Sequence, residues 1–137
     1  MDRAPAPAGD APPAARRLAA LRGATTVDRD HEADLLAATS ELLRAMLDRN
    51  GLDVADVVSI IVTTTRDLSS AHPSGAARNL GWRSVPFMCM SEIAVPDGLA
   101  RCVRVLMHVD VPRGADRPRP VYLRAATALR PDLADPS

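Results

Sequence analysis

The spacing of apolar residues along the chain predicts alternating helices and strands. One segment has its large apolar residues at helical spacing: Leu35, Leu36, Leu42, Leu43, Met46 and Leu47. This pattern is typical of an amphipathic helix with one face on a core. Asp28 or Asp30 is the expected N-cap, and Asn50-Gly51 is the expected stop.

Runs of β-branched and apolar residues predict five strands. They cover residues 18–22, ending at Gly23, and then 56–65, 85–90, 101–110 and 121–130, the last stopped by Pro131. A second, short helix is expected from Pro73, with Arg78 near its end and Gly81 closing it. The order β-α-β-α-β-β-β predicts an α+β or α/β fold, with a mixed β-sheet core and two main helices.

The strand at 101–110 carries the clearest alternation. Val103, Val105, Met107 and Val109 share one face, which we expect to be core. Arg104 falls on the other face between apolar neighbours, where a solvated arginine is not expected. Two interpretations remain open: Arg104 pairs with an internal carboxylate, or it is a cationic donor in a pocket.

Composition narrows the class of protein. The chain has 137 residues with 17 basic and 17 acidic side chains. This balance argues against a nucleic-acid or membrane-surface partner. Residues 1–15 are rich in proline and alanine and are expected to be a disordered leader, followed by a single domain at 16–133 and a flexible tail at 134–137.

The sequence contains no motif for metal binding or for a redox-active pair of cysteines. The two cysteines, Cys89 and Cys102, lack the spacing of a zinc or redox motif, and the three histidines are scattered. We therefore expect no metal site and no disulfide. No segment resembles a secretory signal or a membrane helix, so we expect a reduced, cytoplasmic protein.

One carboxylate interrupts an apolar run. The segment VPFMCMSEIAV, residues 85–95, places Glu92 three residues after Cys89. Burying a carboxylate without a partner is costly, so Glu92 needs a cation or hydrogen-bond donors nearby. Residues three apart on a strand face opposite sides, so both can serve one pocket only if the strand ends or bends near Ser91.

Seven blocks in order resemble the chorismate mutases of the AroH class, the trimeric type found in Bacillus. They are RGATTV at 22–27, DL…PSGAAR at 67–78, GW at 81–82, VPFMCMSE at 85–92, GLARCVRVLM at 98–107, VYL at 121–123 and LRPDL at 129–133. The resemblance runs from about Leu18 to Leu133. It implies a pseudo-α/β barrel built by a homotrimer, with active sites between subunits.

The resemblance also implies the reaction and the residues that perform it. The reaction is the [3,3] rearrangement of chorismate to prephenate, without cofactor, in aromatic amino acid biosynthesis. By resemblance, Arg104 is the cation at the breaking ether oxygen and Glu92 accepts the substrate hydroxyl. The implied substrate-binding residues are Arg22, Arg78, Met88, Cys89, Met90, Ser91 and Tyr122. The sequence departs from the family pattern at Arg66, His72 and Gly75, near the expected cleft entrance.

Two other functions remain as alternatives. The chain could be a trimer of the imine-deaminase type, which also holds a carboxylate with an arginine between subunits. It could instead be a non-catalytic relative that binds an aromatic acid. Loss of chorismate in an assay distinguishes the enzyme from both.

Overall fold

A computed structural model describes residues 15–132 of the chain. Its elements in order are β1 Arg16–Thr26, α1 Glu32–Asp48, β2 Val57–Thr64, α2 Gly75–Asn79, β3 Phe87–Ser91, β4 Cys102–Pro112 and β5 Val121–Tyr122. Two 3₁₀ turns lie at Val54–Asp56 and Arg124–Ala128. The predicted α+β class, with a mixed sheet and two helices, is confirmed. The leader, except its last residue, and the tail lie outside the described residues and stay predictions.

The five strands form one sheet in the order β3-β2-β4-β1-β5. β4 is central and runs antiparallel to both β1 and β2, whereas β3 and β5 are parallel to their neighbours. Arg104 on β4 is level with Ala24 on β1 and with Thr63 on β2. This register brings the residues of three strands to one place on the sheet.

One face of the sheet is covered by α1, and this is where the core lies. The helix buries its apolar side, including Leu35, Leu42 and Met46, against Val103 and Met107 of β4. The four alternate positions predicted for the core face of this strand are all buried, which confirms that prediction. We call the other side of the sheet the open face.

The start of α1 differs from the prediction. His31, not Asp28 or Asp30, occupies the N-cap, and its side chain makes no capping hydrogen bond. The Asp30 carboxylate instead accepts hydrogen bonds from the backbone N–H groups of Ser69 and Ser70, at 3.0–3.1 Å. Hydrogen bonds from Ser70 and Ser69 lower the pKa of Asp30. Asp30 therefore holds the loop before α2 rather than capping its own helix.

The first and last strands along the chain differ from the sequence prediction. β1 runs from Arg16 to Thr26, well beyond the predicted 18–22. The last strand ends at Tyr122, not near residue 130, because Arg124 takes a left-handed φ of 54° and the chain turns into a 3₁₀ helix. Alanines dominate this segment, and alanine is a weak strand former. The predicted stop of α1 at Gly51 and closure of α2 at Gly81 are in place, both with positive φ.

Candidate active site

A cluster of charged and polar side chains lies on the open face where β1, β2 and β4 meet. The structure brings together Arg104 of β4, Arg22 of β1 and Tyr122 of β5, with Glu92 just after β3. Alternation explains the arrangement, since the even-numbered residues of β4 and β1 face away from α1. The same strands thus provide the core on one side and polar chemistry on the other.

Arg104 and Glu92 form an ion pair. Nε of Arg104 donates to Oε1 of Glu92 at 2.8 Å. The Arg104 side chain is 55% exposed and that of Glu92 only 19%. Arg104 therefore pairs with a carboxylate, as one interpretation held, and it also lines both cavities. Its role as a donor to a bound ligand stays a prediction.

The position of Glu92 follows from the end of β3. The strand stops at Ser91, and the Glu92 N–H then donates to the Thr64 carbonyl at 2.9 Å. The Thr63 hydroxyl donates to Oε1 of Glu92. Strand β3 does end where the sequence argument required, and Glu92 reaches the open face.

Two adjoining cavities meet at Arg104. One, of about 530 Å³, is lined by Arg22, Thr63, Met90, Tyr122 and Arg104 among others. The other, of about 320 Å³, lies beside Glu92 and is walled by apolar residues of the segment 93–99. Small-molecule sites commonly have volumes of this order, with apolar walls and a few polar groups. The pair suits a small anionic ligand with an apolar body.

Tyr122 is buried beside the larger cavity, whereas Arg22 is exposed there. Tyr122 is only 7% exposed and packs with Ala24 and Ala126 in a small second core. Arg22 is exposed and lies beside the larger cavity. A phenolic hydroxyl and a guanidinium at one cavity are suited to binding a carboxylate.

Several predicted site residues do not join this cluster within one chain. Cys89 pairs with the buried Val62, so its side chain faces away from Glu92. Cys89 and Ser91 line a different cavity, near the loop 68–73. Arg78 lines a third, beside Trp82.

Met88 and Met90 do lie on the open face, 59% and 45% exposed. Met90 lines the larger cavity with Arg104. The predicted residues therefore divide into one group that the chain itself assembles and another that it presents elsewhere on its surface.

Sequence reasoning assigned no role to several residues that line the cavities, among them Thr63, Leu129 and Arg130. Thr63 lies on β2 opposite Arg104, and only the sheet register reveals it. Leu129 lines both cavities and Arg130 the larger one. Arg130 also forms two hydrogen bonds to Asp132, at 3.0 and 3.1 Å, and these lower the pKa of Asp132. The LRPDL block contained both residues, but pattern alone did not assign them a role.

The thiol beside the pair is not set up for nucleophilic chemistry. Cys102 is 2% exposed, and burial raises its pKa to about 11. A thiol with so high a pKa is almost entirely protonated at neutral pH, and the thiolate is the reactive form. Within residues 15–132, no group of three or more histidine, cysteine, aspartate or glutamate side chains is arranged to hold a metal.

Comparison with known proteins decides the family. The model of the family described as chorismate mutase type I matches residues 18–133. This chain belongs to the chorismate mutase type I family. The predicted family, chorismate mutase function and isomerase class are therefore confirmed.

Individual relatives are similar to this chain along nearly their whole lengths. Chorismate mutase AroH of Bacillus subtilis (strain 168) is 43% identical over 115 residues, which are 83% of this chain and 91% of that protein. Chorismate mutase AroH of Thermus thermophilus is 44% identical over 114 residues, 82% of this chain and 93% of that protein. A solved chorismate mutase from Clostridium thermocellum superposes with a TM-score of 0.75 at 46% identity, covering 80% of this chain and 97% of that one.

In the part of the chain described here, neither helix has the length and apolar character needed to cross a membrane. The cytoplasmic location expected from the sequence stays a prediction.

Proposed function

We propose that the Arg104–Glu92 pair and its two cavities form the site where this chorismate mutase rearranges chorismate to prephenate. Chorismate is a dianion with a ring hydroxyl and an enolpyruvyl ether. In the [3,3] rearrangement its ether C–O bond breaks while a C–C bond forms, and no proton moves. The protein therefore needs to hold the compact conformer and to stabilise charge on the ether oxygen.

The observation that carries the proposal is the hydrogen bonding of Arg104. Only its Nε is committed to Glu92, at 2.8 Å. The terminal nitrogens of the guanidinium therefore remain available to the ether oxygen as its negative charge grows. A preorganised donor of this kind contributes about 10²–10³ in rate.

The remaining groups suit the other parts of chorismate. Glu92 has a second carboxylate oxygen free to accept from the ring hydroxyl, since both of its described hydrogen bonds go to Oε1. Arg22 and Tyr122, at the larger cavity, suit the carboxylates. Apolar walls along the segment 93–99 suit the ring and exclude water from the breaking bond.

We also propose that the site is completed by a neighbouring copy in a homotrimer that forms a pseudo-α/β barrel. The open face exposes large apolar side chains, including Leu18 at 62%, Met88 at 59% and Leu106 at 37%. Exposed apolar patches of this kind are typical of protein interfaces. Residues Arg78 and Cys89, which face elsewhere within one chain, would then border the cleft of an adjacent copy.

A chorismate assay tests the catalytic proposal. Purified protein should remove the absorbance of chorismate and yield prephenate, and Arg104→Ala should abolish this removal while the variant keeps its fold by circular dichroism. Full activity in Arg104→Ala would contradict the assignment. Wild-type protein that binds prephenate without consuming chorismate would favour the aromatic-acid-binding alternative, and ammonia released from an imino acid would favour the deaminase alternative.

Light scattering tests the assembly separately. The expected mass is three times that of the 14.6 kDa chain. A monomer with full activity would rule out a cleft shared between copies.

A further inference from the structure

We propose that Thr63 is a positioning residue for the rearrangement: its hydroxyl stops Glu92 from closing onto Arg104 as a two-bond ion pair. The inference rests on the proposed function, because it assumes that Glu92 and Arg104 both act on the substrate. Thr63 was not among the residues that the sequence or the family resemblance pointed to. The structure reveals it through its register opposite Arg104 and its hydrogen bond to Glu92.

The contacts of Glu92 are concentrated on one oxygen. A carboxylate oxygen offers about two lone pairs. Oε1 accepts from Nε of Arg104 at 2.8 Å and from the Thr63 hydroxyl, so both are used. Within the described residues, Oε2 accepts no hydrogen bond. This asymmetry leaves Oε2 and the terminal nitrogens of Arg104 available to a ligand.

The competing arrangement would be inactive. Arginine and carboxylate often form two parallel hydrogen bonds, which are stronger than one. If Glu92 turned to form them, Oε2 would occupy a terminal nitrogen of Arg104. Both groups needed by the substrate would then satisfy each other. The Thr63 hydroxyl opposes that turn, because it occupies one acceptor direction of Oε1 and rotation of the carboxylate would misalign its hydrogen bond.

The backbone around Thr63 makes it suited to this role. Thr63 lies within β2, paired with Arg104 of β4 on one side and Met90 of β3 on the other. Glu92, by contrast, lies one residue beyond the end of β3. A group on a central strand is held more rigidly than one at a strand end, so Thr63 can orient Glu92.

The first test is Thr63→Val, which keeps the side-chain shape and removes the hydroxyl. We expect kcat to fall about tenfold, the size of one hydrogen bond to a charged group, while KM changes less than about threefold. Thr63→Ser keeps a hydroxyl and should retain at least about a third of wild-type kcat. The matched control is Thr39→Val, which removes a hydroxyl bonded to Leu35 O within α1, and its kinetics should equal wild type.

A double-mutant cycle separates positioning from strand stability. In a Glu92→Gln background the amide cannot form the two-bond ion pair, so adding Thr63→Val should cost less than about twofold in kcat. A purely structural effect of Thr63 would instead be the same in both backgrounds. A crystal structure of Thr63→Val should also show two hydrogen bonds between Arg104 and Glu92, so the inference can be tested even where residual activity is low.

The outcomes are distinct. Thr63→Val with wild-type kcat, or Thr63→Ser as slow as Thr63→Val, would overturn this inference while leaving the proposed function intact. The same holds for a Thr63→Val crystal structure with the single Nε bond unchanged. If Glu92→Gln itself has wild-type kinetics, the proposed function fails instead.

Discussion

Replacing Arg104 by lysine keeps the positive charge at the site but leaves one nitrogen to serve both Glu92 and the substrate. Arg104 donates from Nε to Glu92 at 2.8 Å, and among residues 15–132 its two terminal nitrogens have no hydrogen-bond partner. Lysine has a single nitrogen, a compact point charge, which Glu92 would hold. The donor would then be displaced from the ether oxygen of the bound substrate.

The magnitude follows from the loss of one preorganised donor, which costs about 2.7–4 kcal/mol or 10²–10³ in kcat. The Arg104 side chain is 55% exposed in the single chain, so solvent screening favours the lower end, about 10². KM should change much less, by about threefold or less, because the charge that attracts the dianion remains.

The assay is the loss of chorismate absorbance, with kcat and KM determined separately. Arg16→Lys is a matched control: Arg16 pairs with Asp56 at 3.0 Å at the far end of β1, and this variant should behave as wild type. The reasoning fails if Arg104→Lys keeps more than a tenth of wild-type kcat. It also fails if the loss appears in KM alone.

Three further predictions concern stability and reactivity. Because the pKa of Asp30 is lowered in the folded state, its contribution to stability is present above the ordinary aspartate pKa of about 3.9 and is lost as pH falls through the folded value. Asp30→Asn should therefore flatten the acid side of a plot of Tm against pH, and an unchanged slope would contradict this. In a Cys89→Ser variant at pH 7, Cys102, with a pKa of about 11, should resist alkylation by iodoacetamide until the protein is unfolded. Mass spectrometry measures the labelling, and rapid labelling of the native protein would refute this prediction. Gly51→Ala should lower the free energy of unfolding, measured in urea, by about 1 kcal/mol, because Gly51 has a φ of 60° and alanine is strained there. The control is Gly114→Ala, at a position with open space and no positive φ, which should change the stability little. Equal effects of the two substitutions would argue against backbone strain.

Sequence patterns predicted the central part of this fold well. Strand β4 alternates from Val103 onwards, so its core face and the orientation of Arg104 followed directly from period two, although Cys102 at its start is also buried. The helix α1 was equally clear, because six large apolar residues recur at its spacing. Strong periodicity over many residues leaves few alternatives.

Predictions were wrong where a single contact decides between two local options. Asp30 has the right position for a helix cap, yet its carboxylate binds the backbone of residues 69 and 70 instead. The segment after Tyr122 has no alternation to mark the end of the strand, and it turns at Arg124. Such choices depend on residues far away in the chain.

The candidate site was predicted in part. Arg104, Glu92, Arg22 and Tyr122 were named from family resemblance, and one cluster contains all four. Thr63 could not be found, since a threonine in a β-branched run carries no signal until the register places it opposite Arg104. Contacts across a sheet are a property of pairing, not of any one strand.

Strand β4 carries core residues and Arg104, the arginine of the proposed site, on alternate positions, and this limits how the gene can change. Deleting Val103 would shift the following residues by one position, which would turn the Arg104 guanidinium towards α1 and Val105 towards the open face. Folding and turnover would be lost in one step, with no partly working intermediate. Natural length variation in this enzyme should therefore accumulate in the connection at 113–120, after a strand whose alternation between core face and open face must stay intact, and not at 93–99, which walls the proposed site.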